Sequence, residues 1–127
     1  DYAFRTCLSS DSPYFVNREY LTPKDAIDLF RASGGIPVLA HPLLYKLSVS
    51  QIRRLLDDLT SYGLCGIEAI YSRNRGTDEA FVRKLADEYH LFITGGSDFH
   101  GANKPDIELG RGTGNLRVPV MLLENLR

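Results

Sequence analysis

Three times in this chain a helix signal leads into a short apolar run, and each run stops at glycines or a polar cluster. Thr22-Pro23-Lys24-Asp25 reads as a helix start. Thr22 can cap, Pro23 suits the first helical position, and Asp25 can reach back as in a capping box. Ala26, Ile27, Leu29 and Phe30 supply the apolar stripe, and Gly34-Gly35 ends the helix. Ile36–Ala40 follows as a strand expected to be buried on both faces, stopping at His41-Pro42. Ser48 or Ser50 then caps a second helix, with Ile52, Leu55, Leu56 and Leu59 on one side and Gly63 as its stop. Gly66–Tyr71 is the second strand, and Ser72–Gly76 a polar loop. Thr77 is expected to cap a third helix whose buried side carries Ala80, Phe81, Leu85, Ala86 and Tyr89. The run Leu91–Thr94 is the third strand. Such alternation dictates parallel βα units, because a parallel pair needs a crossover between its strands. The fold class is therefore α/β, part of a layer or a barrel.

The flanks say less. Residues 1–21 read as an irregular lead-in with a loop at Ser9–Pro13, and residues 22–127 as the folded unit. Gly110, Gly112 and Gly114 punctuate a loop, Leu116–Val118 suggests a last strand, and Pro119–Arg127 a short terminal helix. At 127 residues the chain can bury a core, whereas a complete α/β barrel needs about 200 or more. The N-terminus begins Asp1-Tyr2-Ala3 without a Met or an apolar signal core, and so reads as an excised piece. A net charge of −1 excludes general attraction to nucleic acid or anionic membranes. No apolar run approaches the roughly 20 residues that span a bilayer, so no membrane partner is expected. Cys7 and Cys65 lack any CxxC pattern and read as reduced thiols of a cytoplasmic protein, with a disulfide between them as the alternative.

Parallel α/β folds collect their chemistry at the carboxyl ends of strands. Here those ends carry His41, then Arg73 and Asn74, then Asp98 with His100. In Gly95-Gly96-Ser97-Asp98-Phe99-His100-Gly101 an acid and an imidazole two apart on extended backbone would point to one side, as one O and one N donor for a divalent metal. Each residue also has a plainer reading. His41 suits a tight turn before Pro42, Asp98 suits a loop or cap, and Arg73 and Arg75 suit a solvated face. His90 ends a helix, where a cation favours the dipole. Glu68 sits inside an apolar strand, where an ionised carboxylate is costly unless paired. It either holds a ligand histidine or an arginine, or escapes to water.

Taken together, these pieces resemble the C-terminal part of the PHP (polymerase and histidinol phosphatase) metallophosphoesterases. The matching segments are Leu21–Ile27, Gly34–Pro42, Gly66–Tyr71 and Thr94–Gly101, continued by Lys104-Pro105 and Ile107–Gly110. The likeness is greatest to the subgroup of nucleoside 3′,5′-bisphosphate phosphatases and 5′→3′ exoribonucleases. It implies the C-terminal part of a distorted (β/α)7 barrel that binds up to three divalent ions (Mn, Mg or Zn). His41, Asp98 and His100 fall on the family's ligand positions, each serving a different ion, and Asp98 and His100 would be catalytic. The implied substrates are phosphorylated small molecules, nucleotides or short RNA ends, hydrolysed by metal-activated water.

Two departures stand out. The family's N-terminal His-x-His motif, its Thr-Asp-His-type motif and its bridging Glu are absent, and three histidines cannot supply a trinuclear site. The expected partner is therefore the missing N-terminal half, without which the piece would be inactive and its exposed strand edges would favour self-association. Relatives also often carry a histidine about where Asn74 stands; substrate contact is assigned to Asn74 with Arg73 and Arg75, since an arginine fork matches phosphate and can compensate. A non-catalytic binding or assembly module and a histidinol-phosphate phosphatase remain as alternatives.

Overall fold

The computed structural model describes residues 2–16 and 20–124. Its centre is a three-stranded parallel sheet in the order β1 (Val38–Leu39), β2 (Gly66–Tyr71) and β3 (Phe92–Gly96). The crossovers are α3 (Val49–Ser61) and α4 (Asp78–Tyr89). Ahead of them lie α1 (Tyr2–Thr6) and α2 (Pro23–Ala32), and α5 (Met121–Glu124) closes the described chain.

Local chemistry explains most of these boundaries. Thr22 accepts from the backbone N–H of Asp25 while the Asp25 carboxylate accepts from that of Thr22, the reciprocal capping box expected for α2. Ser48 and Gln51 make the same exchange at α3, which settles the cap on Ser48. Ile52, Leu56 and Leu59 of α3 meet Ile67 and Ala69 of β2 and Val82, Leu85 and Ala86 of α4 in one core. Leu56 is fully buried there, a contribution of about 1.5–3 kcal/mol for a side chain of that size. Strand residues alternate between faces, so Ile67 and Ala69 turn toward the helices and Glu68 lies on the other side. Gly95 lets β3 close on β2: a Cβ there would stand 2.7 Å from Cβ of Ile70.

Several expectations fail, each for a local reason. The first strand is two residues long and half-buried, not a five-residue run buried on both faces, because it lies at the edge of the sheet. Leu29 and Phe30 of α2 are exposed and only Ile27 of that stripe is buried, in the core with residues of α3 and β2. Thr77 makes no capping hydrogen bond; its backbone is not extended, and Asp78 instead accepts from the N–H of Arg75. On α4 Val82 is buried and Ala80 exposed. Residues 2–6 form a helix within the supposedly irregular lead-in. Leu116–Val118 is not a strand; among the described residues β3 pairs with β2 alone, and the segment packs by the Val118 side chain over Gly95. The terminal helix is confined to Met121–Glu124, and residues 125–127 of the expected element lie outside the described residues.

Candidate functional site

The three strands end side by side, and the chain turns sharply at two of the three ends. His41, after β1, has φ +32, and Asp98, after β3, has φ +59, both in the left-handed region that non-glycine residues seldom occupy. Non-glycine strain of this kind costs on the order of 1–3 kcal/mol and concentrates at functional sites. The expected extended backbone from Asp98 to His100 is therefore not found. His100 instead folds back, placing Nδ1 2.8 Å from the carbonyl of Asp98 and 3.3 Å from its carboxylate. The two side chains still come together, by a turn and not by strand alternation.

Asp98 is the hub. Its carboxylate accepts from Lys104 Nζ at 2.6 Å and from the Tyr71 hydroxyl at 2.9 Å. The Lys104 bond, then that of Tyr71, holds the Asp98 carboxyl below its usual range, against a burial that pushes the other way. Tyr71 shows the reverse: burial first, then its hydrogen bond to the Asp98 carboxylate, pushes its phenol up to about 12. The Tyr71 ring also lies 5.6 Å from that of His41, so one side chain from the end of β2 spans the ends of β1 and β3. Glu68, on β2, accepts from the backbone N–H of His41 at 2.8 Å. It therefore does hold the histidine, by the main chain and not by the ring. Burial raises the Glu68 carboxyl, opposed by that hydrogen bond.

The loop after β2 carries the remaining expected residues. Asn74 donates its amide to the carbonyl of Ala69 at 2.7 Å, which fixes the loop to its own strand. Arg73 and Arg75 are exposed, and with Asn74 they line one cavity of about 510 Å³. His90 lies apart, as the left-handed cap that ends α4. Tyr71 and Lys104 are site residues that sequence reasoning missed. Tyr71 reads as the last apolar residue of a strand, and Lys104 as a loop cation; only the turn at Asp98 brings them onto its carboxylate.

Donor chemistry allows a direct test of metal fit. His41 Nδ1 is buried and has no hydrogen-bond partner, the state of an imidazole with an unused donor site. Asp98 and His100 are adjacent oxygen and nitrogen donors. Among the described residues, however, no three His, Cys, Asp or Glu side chains converge on one point. The residues thus fit metals as separate donors and not as a closed site.

An acid, two imidazoles and a lysine thus lie past the ends of the strands of a parallel sheet, the edge where folds of this class commonly bind their ligands. No protein-family model matches the sequence. The chain is 33% identical over 108 residues to the 5′-3′ exoribonuclease Rnm of Escherichia coli, covering 85% of this chain and 36% of that protein. It is 32% identical over 108 residues to the 3′,5′-nucleoside bisphosphate phosphatase of Chromobacterium violaceum, covering 84% and 38%. A crystal structure from Bifidobacterium adolescentis, described as a candidate metal-dependent phosphoesterase, superposes with a TM-score of 0.66 at 27% identity, over 97% of this chain and 42% of that one. The chain is homologous over most of its length to PHP-type metal-dependent phosphoesterases and shares their fold. It spans little more than a third of the length of the curated relatives it matches.

No helix among the described residues is long and apolar enough to cross a membrane. Both cysteines are free thiols.

Proposed function

We propose that this chain is the C-terminal part of a metal-dependent phosphoesterase that hydrolyses phosphate esters of nucleotides or of short RNA ends. The observation that carries the reading is the set of candidate donors past two strand ends, with a partnerless buried nitrogen on His41 and the paired Asp98 and His100. Homology to an exoribonuclease and to a nucleoside bisphosphate phosphatase supports the substrate class.

His41, Asp98 and His100 would each hold a divalent ion (Mn, Mg or Zn), completed by donors from the rest of the protein. Such ions supply charge neutralisation at phosphorus and activation of water. The chain's own residues orient these donors and bind substrate. Tyr71 holds the Asp98 carboxylate by its hydroxyl, and Glu68 holds the backbone of His41. Lys104 keeps Asp98 ionised and stands where a phosphate oxygen could share its ammonium. Arg73 and Arg75 carry guanidinium forks suited to phosphate, on a loop that Asn74 anchors. The two free thiols support a cytoplasmic setting. Alone, the chain would be inactive, because an ion held by a single protein donor is not retained.

Phosphate release from nucleoside 3′,5′-bisphosphates and 5′-phosphorylated RNA by the whole protein tests this. Asp98→Ala and His100→Ala should each abolish turnover while leaving the far-ultraviolet circular dichroism intact. Full activity in both variants would end the assignment.

A further inference from the structure

Asp98 does not offer its two carboxylate oxygens equally. The Tyr71 hydroxyl donates to Oδ2 at 2.9 Å, and the Lys104 ammonium donates to that same oxygen at 2.6 Å. Among the described residues Oδ1 is approached by His100 Nδ1 alone, at 3.3 Å, and that nitrogen lies closer to the main-chain carbonyl of Asp98, at 2.8 Å. A carbonyl can only accept, so Nδ1 carries the hydrogen between them and the lone pair of a neutral His100 is on Nε2. A carboxylate oxygen has two lone pairs. Both of those on Oδ2 are therefore committed, while those on Oδ1 are open.

The two donors reach Asp98 from opposite directions along the chain, and both are firmly mounted. Tyr71 ends β2, is buried, and packs its ring 5.6 Å from that of His41. Lys104 follows a turn of 3-10 helix over Gly101–Asn103; its N–H donates to the carbonyl of Gly101 at 3.1 Å. Its own carbonyl accepts at 3.1 Å from the N–H of Ile107, a residue buried in the fold. The Lys104 and Asp98 side chains are 29% and 14% exposed, so this ion pair is largely withdrawn from the water that loosens a surface pair. Between them the left-handed turn at Asp98, with φ +59, aims the carboxylate.

This asymmetry discriminates between cations. An ion seated on both oxygens would have to take a lone pair of Oδ2 from its donors and lie against an ammonium of like charge. An ion on Oδ1 alone meets neither cost. Ca²⁺ gathers about six to eight oxygens and draws on bidentate carboxylates to do so. Octahedral Mg²⁺ and tetrahedral Zn²⁺ are smaller and need fewer donors.

We propose that Tyr71 and Lys104 are positioning residues that determine metal specificity: by occupying Oδ2 they hold Asp98 to a one-oxygen donor, which favours small divalent ions over Ca²⁺. The proposal rests on the phosphoesterase reading above, in which Asp98 holds an ion.

The test is equilibrium competition on the whole protein, stripped with EDTA and then freed of it. Free Mn²⁺ is followed by electron paramagnetic resonance while Ca²⁺ is added, and the readout is the ratio of the Ca²⁺ Kd to the Mn²⁺ Kd. Tyr71→Phe should lower that ratio about threefold, as expected for one neutral hydrogen bond. Tyr71→Phe together with Lys104→Met should lower it about tenfold or more, because the ammonium bond is charge-assisted. In an Asp98→Ala background Tyr71→Phe should leave the ratio in place, which a general loosening of the site would not do. Tyr71→Phe deletes one oxygen and keeps the ring against His41, so it decides alone if the double variant does not fold. A ratio that these variants leave unmoved, or one that Tyr71→Phe still shifts without Asp98, overturns the proposal and leaves the phosphoesterase reading standing. A wild type that takes up no Mn²⁺ overturns that reading and the proposal with it.

Discussion

Glu68 offers a prediction in which the obvious expectation and the physical one differ. Its carboxylate does two things: it accepts the N–H of His41 at 2.8 Å, and it carries a charge that burial disfavours. Two substitutions separate these roles. Glu68→Ala removes the acceptor and leaves the N–H of a left-handed residue without its partner. A hydrogen bond to a charged acceptor contributes about 1.5–3 kcal/mol, and a half-buried site belongs at the lower end, about 1.5 kcal/mol. For a chain of this size that corresponds to a loss of about 5 °C in Tm. Glu68→Gln keeps an oxygen in place and removes the charge.

The sign follows from linkage. A carboxyl raised above its unfolded value of about 4.3 contributes stability that is fully present below that value and lost as pH rises through the folded pKa. At neutral pH the ionised Glu68 therefore costs stability, and Glu68→Gln should be neutral or more stable than the wild type. That advantage should vanish as pH falls through the folded pKa. Urea unfolding of the three metal-free proteins between pH 4 and pH 8 reads both effects. Equal losses for Glu68→Gln and Glu68→Ala at pH 7 would refute the reasoning, because the charge and not the acceptor would then be what matters.

In metal-free protein Tyr71 should ionise after ordinary tyrosines, near its value of about 12, in an alkaline ultraviolet titration; Tyr71→Phe should delete that late step. Stability associated with it should be intact below about pH 10 and lost as pH rises through about 12. Gly112→Ala should cost roughly 2–4 kcal/mol in urea unfolding, from its left-handed backbone together with the 2.6 Å approach to Ser72. Asn74→Ala should cost about 1 kcal/mol by leaving the Ala69 carbonyl without its amide partner, measurable as a lower Tm.

Much of this layout was legible in the residues because its causes are local. Capping boxes at Thr22 and Ser48, apolar periodicity on α3 and the near-continuous apolar run of β2 each act within a few residues. Their alternation alone requires parallel pairing, and so places His41, Asn74 and Asp98 at neighbouring strand ends. What stayed hidden depends on position in the assembled sheet. Whether Ile36–Ala40 is a central or an edge strand is decided by what pairs with it, not by its own composition. The Asp98 turn has the same character: alternation would aim Asp98 and His100 together along a strand, but the backbone leaves the strand at Gly96, and the left-handed turn recruits Lys104 from six residues on. Tyr71 gave no signal because its ring packs as an apolar residue while its hydroxyl alone does the polar work.

The central claim is that His41, Asp98 and His100 are donors to different ions and are completed from outside this chain. Metal content, measured after loading with Mn²⁺ and gel filtration, tests it most directly on the whole protein and on this chain alone. Retention of two or more ions by the whole protein, reduced by His41→Ala and by Asp98→Ala, with no stoichiometric di- or trinuclear centre in the 127-residue chain, is the expected result. A tightly held multinuclear centre in the chain alone, or a whole protein whose metal content neither variant changes, would contradict it.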